Sequence, residues 1–153
     1  MPDSDVIGNG LAAYFRMIQA RIHELTEPLS TEQLWTKPYR HGNSIGNLVL
    51  HITGNLNYFV GAQIAQTGYV RHRDLEFSGS GKPKADVLSE LDQAIETVVT
   101  AIGEQARDDW SAPYSAERTE HRDRFSMVLK CAGHADHHVG QMIYLQRELL
   151  GNS

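Results

Sequence analysis

The sequence predicts an all-α protein, and three observations support this fold class. Apolar residues recur at helical spacing in four long stretches of the chain. The alternation of apolar and polar residues that is typical of strands is missing between these stretches. The 153 residues, with 41% hydrophobic content, are enough for one hydrophobic core. We therefore expect residues 1–153 to form a single domain, most simply a four-helix bundle with longer second and third connections.

Two long helices are predicted in the first half of the chain. The first covers about residues 5–27, because apolar residues line one side of it and Pro28 prevents its continuation. After a loop, Asn43 or Ser44 can cap a second helix that continues to about Gln66.

Two further long helices are predicted in the second half. Residues 69–82 carry mixed charges and a Ser-Gly-Ser-Gly run, and they are expected to form a surface connection. A third helix follows over about residues 83–103, and residues 104–122 are predicted to form a loop. Asp123 is a suitable cap for a fourth helix over residues 124–150.

The charge and composition exclude several function classes. The chain has 14 basic and 19 acidic residues, and the basic ones form no patch of the kind that binds nucleic acid. No apolar run approaches the roughly 20 residues of a membrane span. The chain begins with an acidic segment that lacks an apolar signal core, and the single cysteine, Cys131, permits no internal disulfide. We therefore expect a cytoplasmic protein that binds neither nucleic acid nor membranes.

Three of the eight histidines stand where helical geometry could bring them together. His134 and His138 are four residues apart, so they share one face of the fourth helix and border its apolar stripe. His51 borders the apolar stripe of the second helix. If these stripes pack together, the three imidazoles face one cleft. They would then give a metal ion three nitrogen ligands and leave an open coordination position, which is typical of catalytic sites.

Other interpretations of these residues remain open. A histidine pair at this spacing can be an ordinary polar pair on a helix, and His137 could replace His138, although it points farther from the apolar stripe. Cys131 lies one helical turn before His134, but a small buried cysteine is more often a packing residue. The sequence patterns of metalloproteases, di-iron bundles, structural zinc sites, serine hydrolases and phosphate-binding loops are missing.

Two segments of the sequence resemble the DinB-like superfamily of metal-binding four-helix proteins. They are SIGNLVLHITGN at residues 44–55 and HADHHVGQMIYL at residues 134–145. The family pattern has one histidine in the second helix and a His-x-x-x-His pair in the last helix, with Gly-Gln two residues after the second ligand. The residues that match this pattern, in order, are His51, His134, His138, Gly140 and Gln141.

This resemblance covers nearly the whole chain and implies an up-down-down-up bundle of four helices. It also implies one divalent metal ion, most commonly zinc or nickel, bound by His51, His134 and His138. Members of the superfamily include bacillithiol S-transferases and mycothiol-dependent isomerases, and they often form homodimers. A low-molecular-weight thiol is therefore a further candidate cofactor, and the expected partners are a small-molecule substrate and a second copy of the chain.

Together, the residues and the resemblance favour a metal-dependent enzyme of the thiol S-transferase or hydrolase type. The metal would activate a thiolate or a water molecule, and the thiolate would come from a small molecule because Cys131 is expected to pack in the core. No catalytic acid or base is identified, but substrate contacts are predicted at Asn55, Tyr58 and Gln141. The alternative is a non-catalytic metal-binding or helical interaction protein.

The fourth helix also carries an apolar arc that is wider than one core face needs. A homodimer interface would explain this width, and so would a central position of the helix in its own bundle. The residues that widen the arc are Val128, Ala132, Val139, Ile143 and Leu150.

Overall fold

The computed structural model describes residues 2–114 and 123–151, with residues 2–5 described by their backbone alone. All regular elements in these ranges are helical, which confirms the all-α prediction. A π-helical turn at Asn57–Ala62 extends the third helix, and a 3-10 turn forms at Arg107–Ser111. The six α-helices are α1 (Pro2–Thr26), α2 (Thr31–Trp35), α3 (Ile45–Leu56), α4 (Arg73–Ser78), α5 (Lys84–Gly103) and α6 (Arg124–Leu150).

Local signals in the sequence set the ends of the two helices that matter most for the site. Ser44 caps α3, because its hydroxyl accepts a hydrogen bond from the backbone N–H of Asn47 at 3.0 Å. Asp123 caps α6 in the same way, accepting from the N–H of Ser126 at 2.7 Å. Gly151 ends α6 with a φ of 66°, a left-handed conformation that glycine adopts without strain. The predicted start and end of α6 are therefore confirmed.

The four long helices share one hydrophobic core. Helices α1 and α3 each pack against both α5 and α6. Each long helix contributes fully buried side chains to this core, among them Phe15, Ile18, Leu48, Ile52, Leu91, Ile95 and Met142. The packing of α3 on α6 is the contact that brings the histidines of the two helices together. The up-down-down-up order of helix directions stays a prediction.

The prediction for residues 69–82 is wrong in one respect. This segment contains the short helix α4, which packs against α3, and it is not a purely exposed connection. Glu76 on α4 is 6% exposed. A helix of six residues is too short to produce a hydrophobic period, so its charged sequence resembles a loop.

Two further boundaries differ from the predictions. The second long helix changes to π-helical geometry at residue 57 and ends at Ala62, before the predicted end at Gln66. Gln66 itself has a φ of 54°, which a continuing helix does not allow. Within the predicted loop of residues 104–122, the structure places a 3-10 turn, while residues 115–122 lie outside the described residues.

The apolar arc of α6 is accounted for within the chain itself. Val128, Ala132 and Val139 are each at most 3% exposed, and Ile143 and Leu150 pack against the same core. These residues therefore do not form a free second interface, and the arc no longer argues for a homodimer. In the part of the chain that the structure describes, no helix has the length and apolar character needed to cross a membrane.

Candidate metal centre

His51 of α3 meets His134 and His138 of α6 where the two helices pack. The Nε2 atom of His134 lies 3.0 Å from Nε2 of His51 and 3.1 Å from Nε2 of His138. One ring nitrogen from each histidine falls within 4.8 Å of the others, so the three residues could hold a metal ion. We call these three residues the histidine cluster.

The spacing within the histidine cluster suits one shared ion. Imidazole nitrogens bind zinc at about 2.0–2.1 Å. When two of them form an angle of about 90° to 109° at the ion, the nitrogens lie about 2.9–3.4 Å apart. The observed separations of 3.0 and 3.1 Å fall inside this range. His51 is 6% exposed, whereas His134 and His138 are half-buried, so the cluster lies at the edge of the core.

A buried ion pair holds His51 in place. Its Nδ1 atom lies 2.9 Å from Oε1 of Glu76, which can only accept a hydrogen bond when ionised. Arg71 donates two hydrogen bonds to the same carboxylate, from Nε to Oε2 and from Nη2 to Oε1, each at 2.8 Å. Nδ1 of His51 must therefore carry the proton, and Nε2 presents its lone pair to the cluster. Carboxylate–histidine pairs of this kind commonly orient metal ligands in proteins.

Gln141 holds His138 in a similar way. Its Oε1 atom lies 2.7 Å from Nδ1 of His138, so this Nδ1 donates and Nε2 again presents a lone pair. When all three imidazoles are neutral, the Nε2 atoms of His51 and His138 carry no proton, and only the Nε2 atom of His134 can carry one. The Nε2 atoms of His51 and His138 are consequently both unprotonated within the cluster, and a shared cation would satisfy both. The donor set therefore fits a divalent metal.

The electrostatics keep the histidine cluster neutral and Glu76 charged. Burial, reinforced by the neighbouring histidines, lowers the pKa of His134 to about 3, and burial also lowers the pKa of His138. Burial acts in the opposite direction on Glu76, but hydrogen bonds from Arg71 and His51 outweigh it and lower the pKa of this carboxyl. Neutral imidazoles are the form of histidine that binds metals.

Some residues that could compete for a role in the site lie outside the histidine cluster. His137 is exposed and only its ring edge approaches His138, with 5.2 Å between ring centroids. Cys131 is 1% exposed, and burial raises the pKa of its thiol to about 12. The thiol therefore stays protonated at neutral pH, as expected for a packing residue.

The three predicted substrate contacts have different surroundings. Gln141 is exposed and already engaged with His138. Asn55 is 8% exposed, and its Oδ1 atom has no hydrogen-bond partner among the described residues. Tyr58 lies in the π-helical turn, where its ring packs edge-on against Phe59. The three substrate contacts stay predictions.

Sequence reasoning missed Glu76 and Arg71. They lie 25 and 20 positions after His51, so no helical spacing connects them to it. The only sequence pattern that could indicate them is an acidic residue soon after an arginine in a segment with few apolar residues. This pattern is also typical of exposed loops.

Comparisons with known proteins identify a family but no activity. The model of the family described as "Protein of unknown function (DUF1572)" matches residues 9–153. A crystal structure of a conserved protein from Enterococcus faecalis shares the fold with a TM-score of 0.78, covering 94% of this chain and 97% of that chain at 15% identity. No curated protein matches the chain. The chain belongs to the DUF1572 family.

Proposed function

We propose that this protein binds one divalent metal ion through His51, His134 and His138 and is a metal-dependent enzyme. The observation that carries the proposal is the convergence of three Nε2 atoms, two of which have their lone pairs fixed by Glu76 and Gln141. Three neutral protein ligands leave coordination positions open, as in catalytic zinc sites. Zinc and nickel are the metals that the DinB-like resemblance favours.

The reaction class follows from what the chain itself can and cannot provide. A divalent ion in such a site supplies a nucleophile at neutral pH, because it lowers the pKa of water or of a thiol. Glu76 and Gln141 orient the imidazoles, and Arg71 keeps Glu76 ionised and in place. Cys131 cannot supply the thiolate, since its thiol is buried and protonated. The nucleophile is therefore water or a small-molecule thiol, which gives a hydrolase or a thiol S-transferase.

One observation favours a non-catalytic metal-binding protein as the second candidate. Glu76, the acidic residue in contact with the histidine cluster, is fully engaged by Arg71 and His51, so it is not free to act as a general acid or base. Among the described residues, no other carboxylate forms a hydrogen bond with the cluster. In such a protein the metal would contribute to folding stability alone.

Three remaining features of the proposal rest on the DinB-like resemblance: an up-down-down-up order of the four long helices, a small-molecule substrate and a homodimer. A cytoplasmic location is also proposed, and it rests on the single cysteine and on the absence of an apolar signal core from the first residues. A second copy would cover exposed apolar side chains such as Leu129 and Tyr144, which are 52% and 68% exposed. Light scattering at micromolar concentration would give twice the monomer mass for a dimer, and the monomer mass would exclude it.

The enzyme proposal is tested by turnover. Metal-loaded protein is screened for hydrolysis and for transfer of low-molecular-weight thiols to electrophiles, beside the His134→Ala and His137→Ala variants. We expect activity in the wild type and in His137→Ala, which keeps the cluster, and loss of activity in His134→Ala. Equal rates for the wild type and His134→Ala in every assay would leave the non-catalytic alternative.

A further inference from the structure

A cavity lies between α3, α4 and α5, on the other side of Glu76 from the histidine cluster. Its volume is about 640 Å³, which is within the range of small-molecule sites. None of the three histidines is among the described residues that line it. One face of α3 forms its floor, the polar face of α5 forms one wall, and α4 forms the other wall. Glu76, which holds His51 in place, also lines this cavity. A ligand here needs no bound metal, so the inference goes beyond the function proposed above.

The floor of the cavity contains a buried polar group without a partner. Thr53 is 7% exposed, and its Oγ1 atom has no hydrogen bond to any of the described residues. Threonine hydroxyls within helices commonly bond to a backbone carbonyl one turn earlier, and this one does not. A buried hydroxyl that lacks a partner destabilises the folded protein, because its lost hydration is not replaced. A ligand in the cavity would supply the missing hydrogen bond.

The charges around the cavity point to an uncharged ligand. The carboxylate of Glu76 is paired with Arg71, and that of Glu90 is paired with Lys82 at the rim. Of the lining residues that carry a formal charge at pH 7, namely Glu76, Lys82 and Glu90, each is already in an ion pair, so none is free to pair with an ionic ligand. Charged ligands would therefore lose hydration without gaining an ion pair.

The other lining residues offer neutral hydrogen-bonding groups beside apolar surface. Asn57 and Gln93 contribute amides to the lining, and Trp35, Leu50 and Leu75 contribute aromatic and aliphatic surface. Aromatic rings that carry a hydroxyl or an amide match such a lining, because one part of the molecule is apolar and the other forms hydrogen bonds.

We propose that the cavity between α3, α4 and α5 binds an uncharged small molecule. This molecule has an aromatic or aliphatic body and a hydroxyl or amide group, and Thr53 forms a hydrogen bond with that group. Trp35 reports on occupancy, since its indole ring lines the cavity while the other tryptophan, Trp110, lies elsewhere in the core.

The proposal is tested by titrating the ¹⁵N-labelled full-length protein with benzyl alcohol and benzamide, and with the charged analogues benzoate and benzylamine. The indole N–H signals of the two tryptophans are followed by NMR. We expect the uncharged probes to shift the Trp35 signal in a saturable way and to leave Trp110 in place. Thr53→Val should weaken binding about fivefold, because one hydrogen bond of about 1 kcal/mol is lost. Thr100→Val, on the exposed side of α5, is the matched control and should bind like the wild type.

A third variant covers the case in which Thr53→Val does not fold. Gln93→Phe changes an exposed position of α5 and fills the cavity, so it should abolish the Trp35 shift. The proposal is overturned if the uncharged probes leave Trp35 unshifted, or if Gln93→Phe binds them like the wild type. Equal or tighter binding of benzoate or benzylamine would overturn the ligand class.

Discussion

The carboxylate of Glu76 lies 2.9 Å from Nδ1 of His51, although the two residues are 25 positions apart and belong to different helices. Both side chains are 7% exposed. This contact fixes which nitrogen of His51 faces the histidine cluster, and it explains why a short charged helix is packed against α3. A buried carboxylate is costly unless it is paired, and Arg71 provides the second half of the pairing.

Glu76→Gln should weaken metal binding by about 10- to 100-fold, the usual effect of removing a carboxylate that supports a metal-bound histidine. The amide keeps the shape of the side chain but loses the charge that attracts Arg71 and the N–H of His51. Competition with a chromogenic chelator measures the affinity. Glu90→Gln, which changes a half-buried glutamate on α5 that pairs with Lys82, is the control. An unchanged affinity in Glu76→Gln would contradict the supporting role.

Gly54→Ala should also lower the metal affinity, although residue 54 does not touch the metal ligands. A Cβ atom at this position would overlap Oε2 of Glu76, so the carboxylate would have to move. That movement would disturb its contact with His51. Gly10→Ala is the matched control, because its added methyl group meets open space on α1. That variant should gain roughly 0.5–1 kcal/mol of stability and bind metal normally. Normal metal binding by Gly54→Ala would show that Glu76 need not stay where it is.

Cys131 should make the stability of the protein sensitive to alkaline pH. Burial raises the pKa of its thiol from 9.0 to about 12 in the folded state, so between these values the unfolded chain releases a proton that the folded chain retains. The stability contributed by this group is complete below about pH 9 and is lost as the pH rises toward 12. The free energy of unfolding of the wild type should therefore fall relative to that of Cys131→Ala by about 1.4 kcal/mol between pH 7 and pH 10.

Urea unfolding of the two proteins at both pH values measures this difference. Because Cys131 is the only cysteine, no other thiol contributes to it. The same difference in stability at pH 7 and pH 10 would mean that the thiol is accessible and ionises in the folded protein, contrary to its packing role.

The parts of the fold that depend on local sequence could be predicted, and those that depend on distant packing could not. Ser44, Asp123 and Gly151 act within one helical turn of their own positions, so their capping roles are visible in the sequence. The all-helical class followed from the period of the apolar residues. The π-helical turn at Asn57–Ala62 changes that period without any proline or glycine signal at its start, and so it was missed.

The candidate site divides in the same way. His134 and His138 are linked by helical spacing, and the apolar stripe that His51 borders indicates which side of α3 it occupies. The position of Glu76 depends on how a six-residue helix packs on α3, which no local pattern encodes. His137 and His138 could be separated from sequence only by their angle to the apolar stripe, and the structure places His138 in the cluster.

The central claim is that the histidine cluster binds one divalent metal ion, and elemental analysis of the protein after loading with zinc or nickel and dialysis tests it most directly. The wild type and the exposed-histidine control His137→Ala should each retain about one ion per chain, since both keep all three ligands. His51→Ala, His134→Ala and His138→Ala should each lose most of the bound metal, because two imidazoles are too few strong donors. Full occupancy in His138→Ala, or a metal-free wild type under the same conditions, would contradict the account.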